Sequence, residues 1–201
     1  PASAARAVLQ TGEVDYAWNL QLSPDILAQM TGGPGEVITS DSPAVEFLFL
    51  NQTDPDPALG EARATVAGGA HPAFTDPRVG QALSLAIDRD ALNEALWLGK
   101  AVVPSTHTMA EMGALHQPDL ETFDYDPERA KALLQEAGYD GFEITYDTAA
   151  TYYTNGLLAA QAIMEMWAAV GVNGRVNVQD QWSGGDAEMM TRNWSNPMYF
   201  A

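Results

Sequence analysis

Cysteine is absent from the 201 residues, which removes disulfides, thiolate metal sites and thiol catalysis together. Basic residues are scarce as well. Nine lysines and arginines stand against 27 acids, a formal charge of −18, and Lys100 and Lys131 are the only lysines. A field of that sign repels phosphate backbones, so nucleic acid and anionic membrane surfaces are poor partners. Solubility explains the excess, and charge alone does not identify a cationic ligand. No apolar run nears the roughly 20 residues of a bilayer span, so no membrane insertion is expected. Pro1 to Gln10 lack a basic region followed by an apolar stretch; they read as the start of a helix cut from a longer chain, not as a signal peptide.

Signatures of catalysis are also missing. His71, His107 and His116 form no helical i, i+4 pair, so no metal site is expected. There is no Gly-x-Ser-x-Gly elbow. Asp54, Asp56, Gly60 and Glu61 imitate a calcium loop, but the glycine falls at the seventh position and Pro55 and Pro57 interrupt it. Gly32-Gly33-Pro34-Gly35 departs from the phosphate-loop pattern and reads as a turn. No cofactor is expected.

What the sequence does contain is an alternation of helix and strand signals. Ala4 to Thr11 predicts a helix ended by Gly12. Val14 to Trp18 alternates like a strand. Ser23-Pro24-Asp25 opens a second helix. Glu36 to Thr39 and Val45 to Leu50 read as strands, the latter too apolar to face water on either side. Asn51 to Ala73 is largely an exposed excursion. Asp76-Pro77 starts a helix whose face is Val79, Ala82, Leu83, Ala86 and Ile87, and another helix follows from Asp88 or Arg89 to Leu98. Ala101 to Phe123 should wander over the surface.

Asp126-Pro127 repeats the start signal, with Ala130, Leu133, Leu134 and Ala137 as the buried stripe. Phe142 to Tyr146 predicts a strand, Asn155 to Val170 a long apolar helix, and Arg175 to Val178 another strand. Ser183 to Arg192 suggests a short helix. Such alternation indicates an α/β layer architecture in one domain.

Three ordered blocks resemble a known family. Gln10-Thr11-Gly12-Glu13-Val14-Asp15-Tyr16-Ala17 is the first. Phe74-Thr75-Asp76-Pro77-Arg78-Val79-Gly80-Gln81-Ala82-Leu83-Ser84-Leu85-Ala86-Ile87-Asp88-Arg89-Asp90 is the second. Phe123-Asp124-Tyr125-Asp126-Pro127-Glu128-Arg129-Ala130-Lys131-Ala132-Leu133-Leu134 with Glu136-Ala137-Gly138-Tyr139 is the third. They are similar to family 5 extracellular solute-binding proteins, the dipeptide and oligopeptide binders. One departure is Gly80, where that family usually carries a basic residue; glycine costs about 1 kcal/mol against alanine inside a helix.

The resemblance implies a lobe of the periplasmic-binding-protein type II kind, a mixed β-sheet flanked by helices. Residues 1–201 would then be a single incomplete C-terminal lobe of a two-lobed protein. It further implies an extracytoplasmic location, periplasmic or at the cell surface, with any lipid anchor on a missing N-terminus. The implied partners are a small solute, peptide or opine-like, and an ABC permease.

Carried over by motif position, the resemblance places ligand contacts at Trp18, Phe49, Tyr153, Asn155, Trp182, Trp194, Ser195 and Asn196. The aspartate that peptide binders use for the ligand's amino group has no counterpart in Trp194-Ser195-Asn196-Pro197. Independently of family, Trp18, Trp182 and Trp194 fall at expected ends of regular elements, where aromatic planes suit a cleft. Trp97 and Trp167, within helices, are expected to pack the core. A sensor or interaction protein of the same fold is the second reading, and a hydrolytic enzyme a remote third.

Overall fold

The computed structural model describes residues 2–17, 24–31, 35–38, 46–54, 56–71, 73–103, 110–117, 124–139, 141, 143–150, 154–179 and 195–198. Two short helices come first, α1 (Ala2–Gln10) and α2 (Pro24–Met30), followed by strand β1 (Phe47–Leu50). Helices α3 (Pro77–Leu85), α4 (Arg89–Trp97) and α5 (Pro127–Glu136) form the middle. Strand β2 (Ile144–Ala149), helix α6 (Gly156–Ala169), and strands β3 (Gly174–Gln179) and β4 (Ser195–Met198) complete the order.

Aspartates start the middle helices. Asp76, Asp88 and Asp126 each accept a backbone N–H of the first turn at 2.9 Å, from Arg78, Ala91 and Arg129 respectively. Pro77 and Pro127 occupy the first turn, where the missing N–H costs nothing. Arg78 ties two of these helices together: its guanidinium pairs with Asp76 at 2.6 Å and donates to the Glu136 carbonyl at the end of α5 at 2.7 Å.

The four strands lie in the order β1-β4-β2-β3. β2 and β3 are parallel, joined through α6, and β4 runs parallel to β2 on its other side. β1 is antiparallel to β4. The sheet is therefore mixed, and helices cover one face of it. On that face Ile144 and Tyr146 pack with Trp167, Ile163 and Met164 of α6, and with Val79, Ala82 and Leu83 of α3 and Leu133 and Leu134 of α5. The buried stripes expected for α3 and α5 are the observed ones, except that Ala137 is only partly buried.

Two expected strands are not there. Among the described residues, Val14–Ala17 and Glu36–Ile38 form no strand, and Tyr16 and Ile38 are 75% and 81% exposed. Alternation makes a strand only where a neighbour supplies the ladder, and among the described residues neither segment has one. β1 is also wetter than its composition suggests. Leu48 and Leu50 turn to the core, but Phe49, on the other face, keeps 36% of its surface exposed. The excursion after β1 is partly anchored, since Asn51, His71 and Ala73 are buried. The expected helix at 183–192 lies outside the described residues.

Gly80 lies against β1. A Cβ built there would stand 3.3 Å from Leu50 Cδ1, a tight contact with the end of a flexible side chain.

Candidate functional site

In open α/β sheets, ligands sit outside the carboxyl ends of the strands, where the strand order reverses. β2 is such a place. Its crossover through α6 leads to β3 on one side, while β4, added later in the chain, lies on the other. Ala149 pairs with Gln179, and Phe47 pairs with Met198, so these residues mark one end of the sheet.

Two residues before that end, the register builds a row across all four strands. Phe49 pairs with Asn196, and Asp147 pairs with Asn177. Tyr146 pairs with Ser195, so one residue further along both parallel strands Asp147 stands beside Asn196. The row therefore reads Phe49, Asn196, Asp147, Asn177. Asp147 alternates with Tyr146 and so points to the sheet face opposite the Trp167 core.

Asp147 is the only carboxylate among the buried described residues, at 5% exposure. The Asn177 side-chain amide donates to its Oδ1 at 2.6 Å. Burial pushes the Asp147 carboxyl above the ordinary range, against the Asn177 hydrogen bond and the Arg175 charge, which lower it. Arg175 itself pairs with Glu143 at 3.2 Å, both side chains being exposed. Directly behind the row, Tyr146 is fully buried with its ring 6.2 Å from that of Trp167. Its hydroxyl has no hydrogen-bond partner among the described residues, and burial raises its pKa.

Of the eight sequence-predicted contact residues, Phe49, Ser195 and Asn196 come together on the paired strands β1 and β4. Asn155 lies apart, at the mouth of α6. It adopts a left-handed backbone (φ 68°) and donates from its side chain to the Leu96 carbonyl at 2.6 Å, tying α6 to the end of α4. Trp18, Tyr153, Trp182 and Trp194 lie outside the described residues. Asp147 and Asn177 were not anticipated. The available signal was an acid inside a strand of a strand–helix–strand unit, where both faces are normally covered.

Two other features are structural. His71 accepts the backbone N–H groups of Ala73 and Phe74 on Nδ1, both at 3.1 Å, and stacks on the Phe74 ring at 4.2 Å. Burial lowers its pKa to about 4, against the raising effect of Asp54. A shallow groove of about 440 Å³, bounded by Lys131, Leu134, Tyr139 and Val170, lies by the end of α6. That is the amino-terminal side of β2 and β3, away from the row, because the crossover helix runs back along the strands. Among the described residues no three His, Asp or Glu side chains converge as a metal site, and no helix is long and apolar enough to cross a membrane.

The model of the bacterial extracellular solute-binding proteins, family 5 middle region, matches residues 1–200. The chain belongs to this family. A glutathione-binding protein of Salmonella typhimurium is 29% identical over 175 residues, which cover 87% of this family 5 chain and 30% of the relative. The dipeptide-binding protein of Escherichia coli is 35% identical over 111 residues, 53% of this chain and 20% of the relative. In three dimensions the fold is similar to that of NikZ from Campylobacter jejuni, solved in complex with Ni(L-His), with a TM-score of 0.72 at 18% identity. That match covers 98% of this chain and 37% of the other. The family 5 chain thus spans less than a third of the length of the two curated relatives.

Proposed function

We propose that this chain is part of one lobe, the C-terminal one, of an extracytoplasmic solute-binding protein that delivers a peptide or opine-like solute to an ABC permease. The observation that carries this reading is the family match along residues 1–200, joined to the row on the outer face of the sheet. Relatives named for a dipeptide and for glutathione, itself a tripeptide, favour a peptide over an opine. The chemistry asked of the protein is reversible enclosure. Aromatic and amide groups on a rigid sheet supply apolar area and orientation at little cost in side-chain freedom.

Phe49 and Asn196 contribute to the solute-facing wall in this reading, with Trp18, Tyr153, Trp182 and Trp194 completing it and Asn155 holding the start of α6; Ser195 stands in register with Leu50 and Tyr146, on the core side of the sheet, and is not part of the wall. One lobe is half of a cleft. Affinity then depends on a second wall, and the 201-residue chain alone is a weak binder.

Calorimetry with dialanine, glutathione and octopine tests this, using the protein at the length of its relatives and the 201-residue chain in parallel. The expected result is one-to-one binding of at least one solute by the long form, at least about ten-fold tighter than by the short form. Equal affinities would remove the two-wall picture. No binding of any of the three by the long form would remove the solute reading itself.

A further inference from the structure

We propose that Asn173–Gly174 is a self-modifying site, where the chain converts its own asparagine to aspartate and isoaspartate with age and so loosens the pairing of β3 with β2.

An asparagine amide is most open to attack by the next backbone nitrogen when glycine follows, because glycine has no side chain to obstruct the approach. The sequence holds two such pairs, Asn155–Gly156 and Asn173–Gly174. In the step proposed, the Gly174 nitrogen bonds to Cγ of Asn173 and the Cγ–Nδ2 bond breaks. The Gly174 N–H proton leaves with Nδ2 as ammonia. Water then opens the cyclic imide at either carbonyl. One opening restores the main chain as aspartate, and the other routes it through Cγ as isoaspartate, longer by a methylene. The net exchange is one water taken up for one ammonia released.

The fold treats the two pairs differently. Gly156 is buried at the start of α6, and the Asn155 amide donates to the Leu96 carbonyl at 2.6 Å in a part-buried contact. Asn173 and Gly174 are both exposed, where the chain enters β3, an edge strand among the described ones. Ile144 donates to the Asn173 carbonyl at 2.9 Å. In a parallel ladder this turns the Gly174 N–H outward along the open edge. The Asn173 side chain is tied by an exposed bond from Nδ2 to the Gly141 carbonyl at 2.9 Å. Fraying of an exposed strand end costs less than opening a buried helix start, so the fold shields Asn155 and leaves Asn173 reactive.

Packing keeps the labile pair in place. A Cβ on Gly174 would collide with Met164 Cε and stand 2.7 Å from the Ile144 carbonyl oxygen, which the sheet holds fixed. Glycine is therefore required after Asn173. The same closeness makes the product costly, because Gly174 has no room to shift and absorb an added methylene. The new carboxylate also loses the donor to the Gly141 carbonyl and faces that oxygen with its own charge. Asn177, further along β3, depends on the same strand pairing for its bond to Asp147.

The test ages the protein, at the length of its relatives, in mildly alkaline buffer, both folded and unfolded in guanidinium chloride. Peptide-mapping mass spectrometry follows the amide-to-acid conversion of each asparagine. In the folded protein Asn173 should convert at least about ten-fold faster than Asn155, whereas the two should differ by less than about three-fold when unfolded. The fraction carrying the acid at position 173, separated by anion exchange, should unfold at lower urea concentration than fresh protein. Conversion of Asn155 as fast as Asn173 in the folded protein, or an Asn173 that stays an amide there, would overturn the site. Equal urea midpoints for aged and fresh protein would overturn its effect on the sheet. Neither readout involves a solute.

Discussion

The indole N–H of Trp167, in α6, donates to the backbone carbonyl of Leu83, in α3, at 3.0 Å. Leu83 lies in the last turn of α3, where carbonyls lose their partners within the helix, so one helix completes another. Trp167 is fully buried, and the same ring packs on Tyr146. Trp167→Phe keeps much of the packing but leaves the Leu83 carbonyl dry. It should destabilise the chain by about 1–3 kcal/mol in urea unfolding. A loss below about 0.5 kcal/mol would mean that the bond contributes little.

Gly80 is the helical position where propensity and packing pull in opposite directions. Alanine would gain up to about 1 kcal/mol of helix propensity. Its Cβ would press on Leu50 Cδ1 at 3.3 Å, the far end of a flexible and only partly buried side chain. Leu50 can yield by a few tenths of an ångström, so Gly80→Ala should raise stability, by less than about 1 kcal/mol. A lower denaturation midpoint for the alanine variant would show that the contact of α3 with β1 cannot relax.

His71 makes stability depend on pH. Its imidazole titrates near pH 4 in the folded chain and near 6.5 when unfolded. Between those values the unfolded chain binds the extra proton, so the contribution is complete above about pH 6.5 and is lost as pH falls towards 4. The full loss is on the order of 3 kcal/mol. Protonating Nδ1 also breaks the bonds from Ala73 and Phe74, which gives the low pKa a geometric reason. Proton NMR should find one imidazole titrating near pH 4, and an ordinary value for all three histidines would contradict the buried geometry.

Asp147 has the opposite sign. Its carboxyl pKa is raised by burial, so ionising it in the folded chain costs stability that the protonated form would retain. Asp147→Asn should therefore unfold at higher temperature than the wild type at pH 7. The difference should shrink as pH falls through the raised range and vanish below the ordinary carboxyl value of about 4. A pH-independent difference would assign the effect to packing instead of charge.

Asn155 separates two roles in one residue. Its left-handed backbone is tolerated by asparagine and glycine, while its side chain holds the Leu96 carbonyl. Asn155→Gly should cost about 1 kcal/mol for the lost hydrogen bond, and Asn155→Ala roughly 1–2 kcal/mol more for the strained backbone. Equal costs in chemical denaturation would mean that the backbone relaxes out of the left-handed region.

Local chemistry made the helices legible. Asp-Pro pairs at 76–77 and 126–127 mark the starts of α3 and α5, and Gly12, Gly99, Gly138 and Gly171 take positive φ just beyond helix ends. Strands were harder, because a strand is a relation between distant segments. Val14–Ala17 alternates without gaining a neighbour, whereas Ser195–Met198, containing a proline, pairs on both sides. The same limit hid Asp147. Phe142 to Tyr146 reads as a complete alternating strand, but β2 begins at Ile144 and continues to Ala149 once β3 is alongside. The row of Phe49, Asn196, Asp147 and Asn177 draws on residues spread from 49 to 196, so no local window contains it.

The place of β4 governs how late this sheet can be finished. Among the described strands, β1 is held to the others through β4 alone, although the two are about 150 positions apart along the chain. Until Ser195 to Met198 are available, β1 carries an unzipped edge and Phe49 and Asn196 are strangers. Closing so wide a loop is slow and leaves β1 open to misassembly until residues 195–198 have been synthesised.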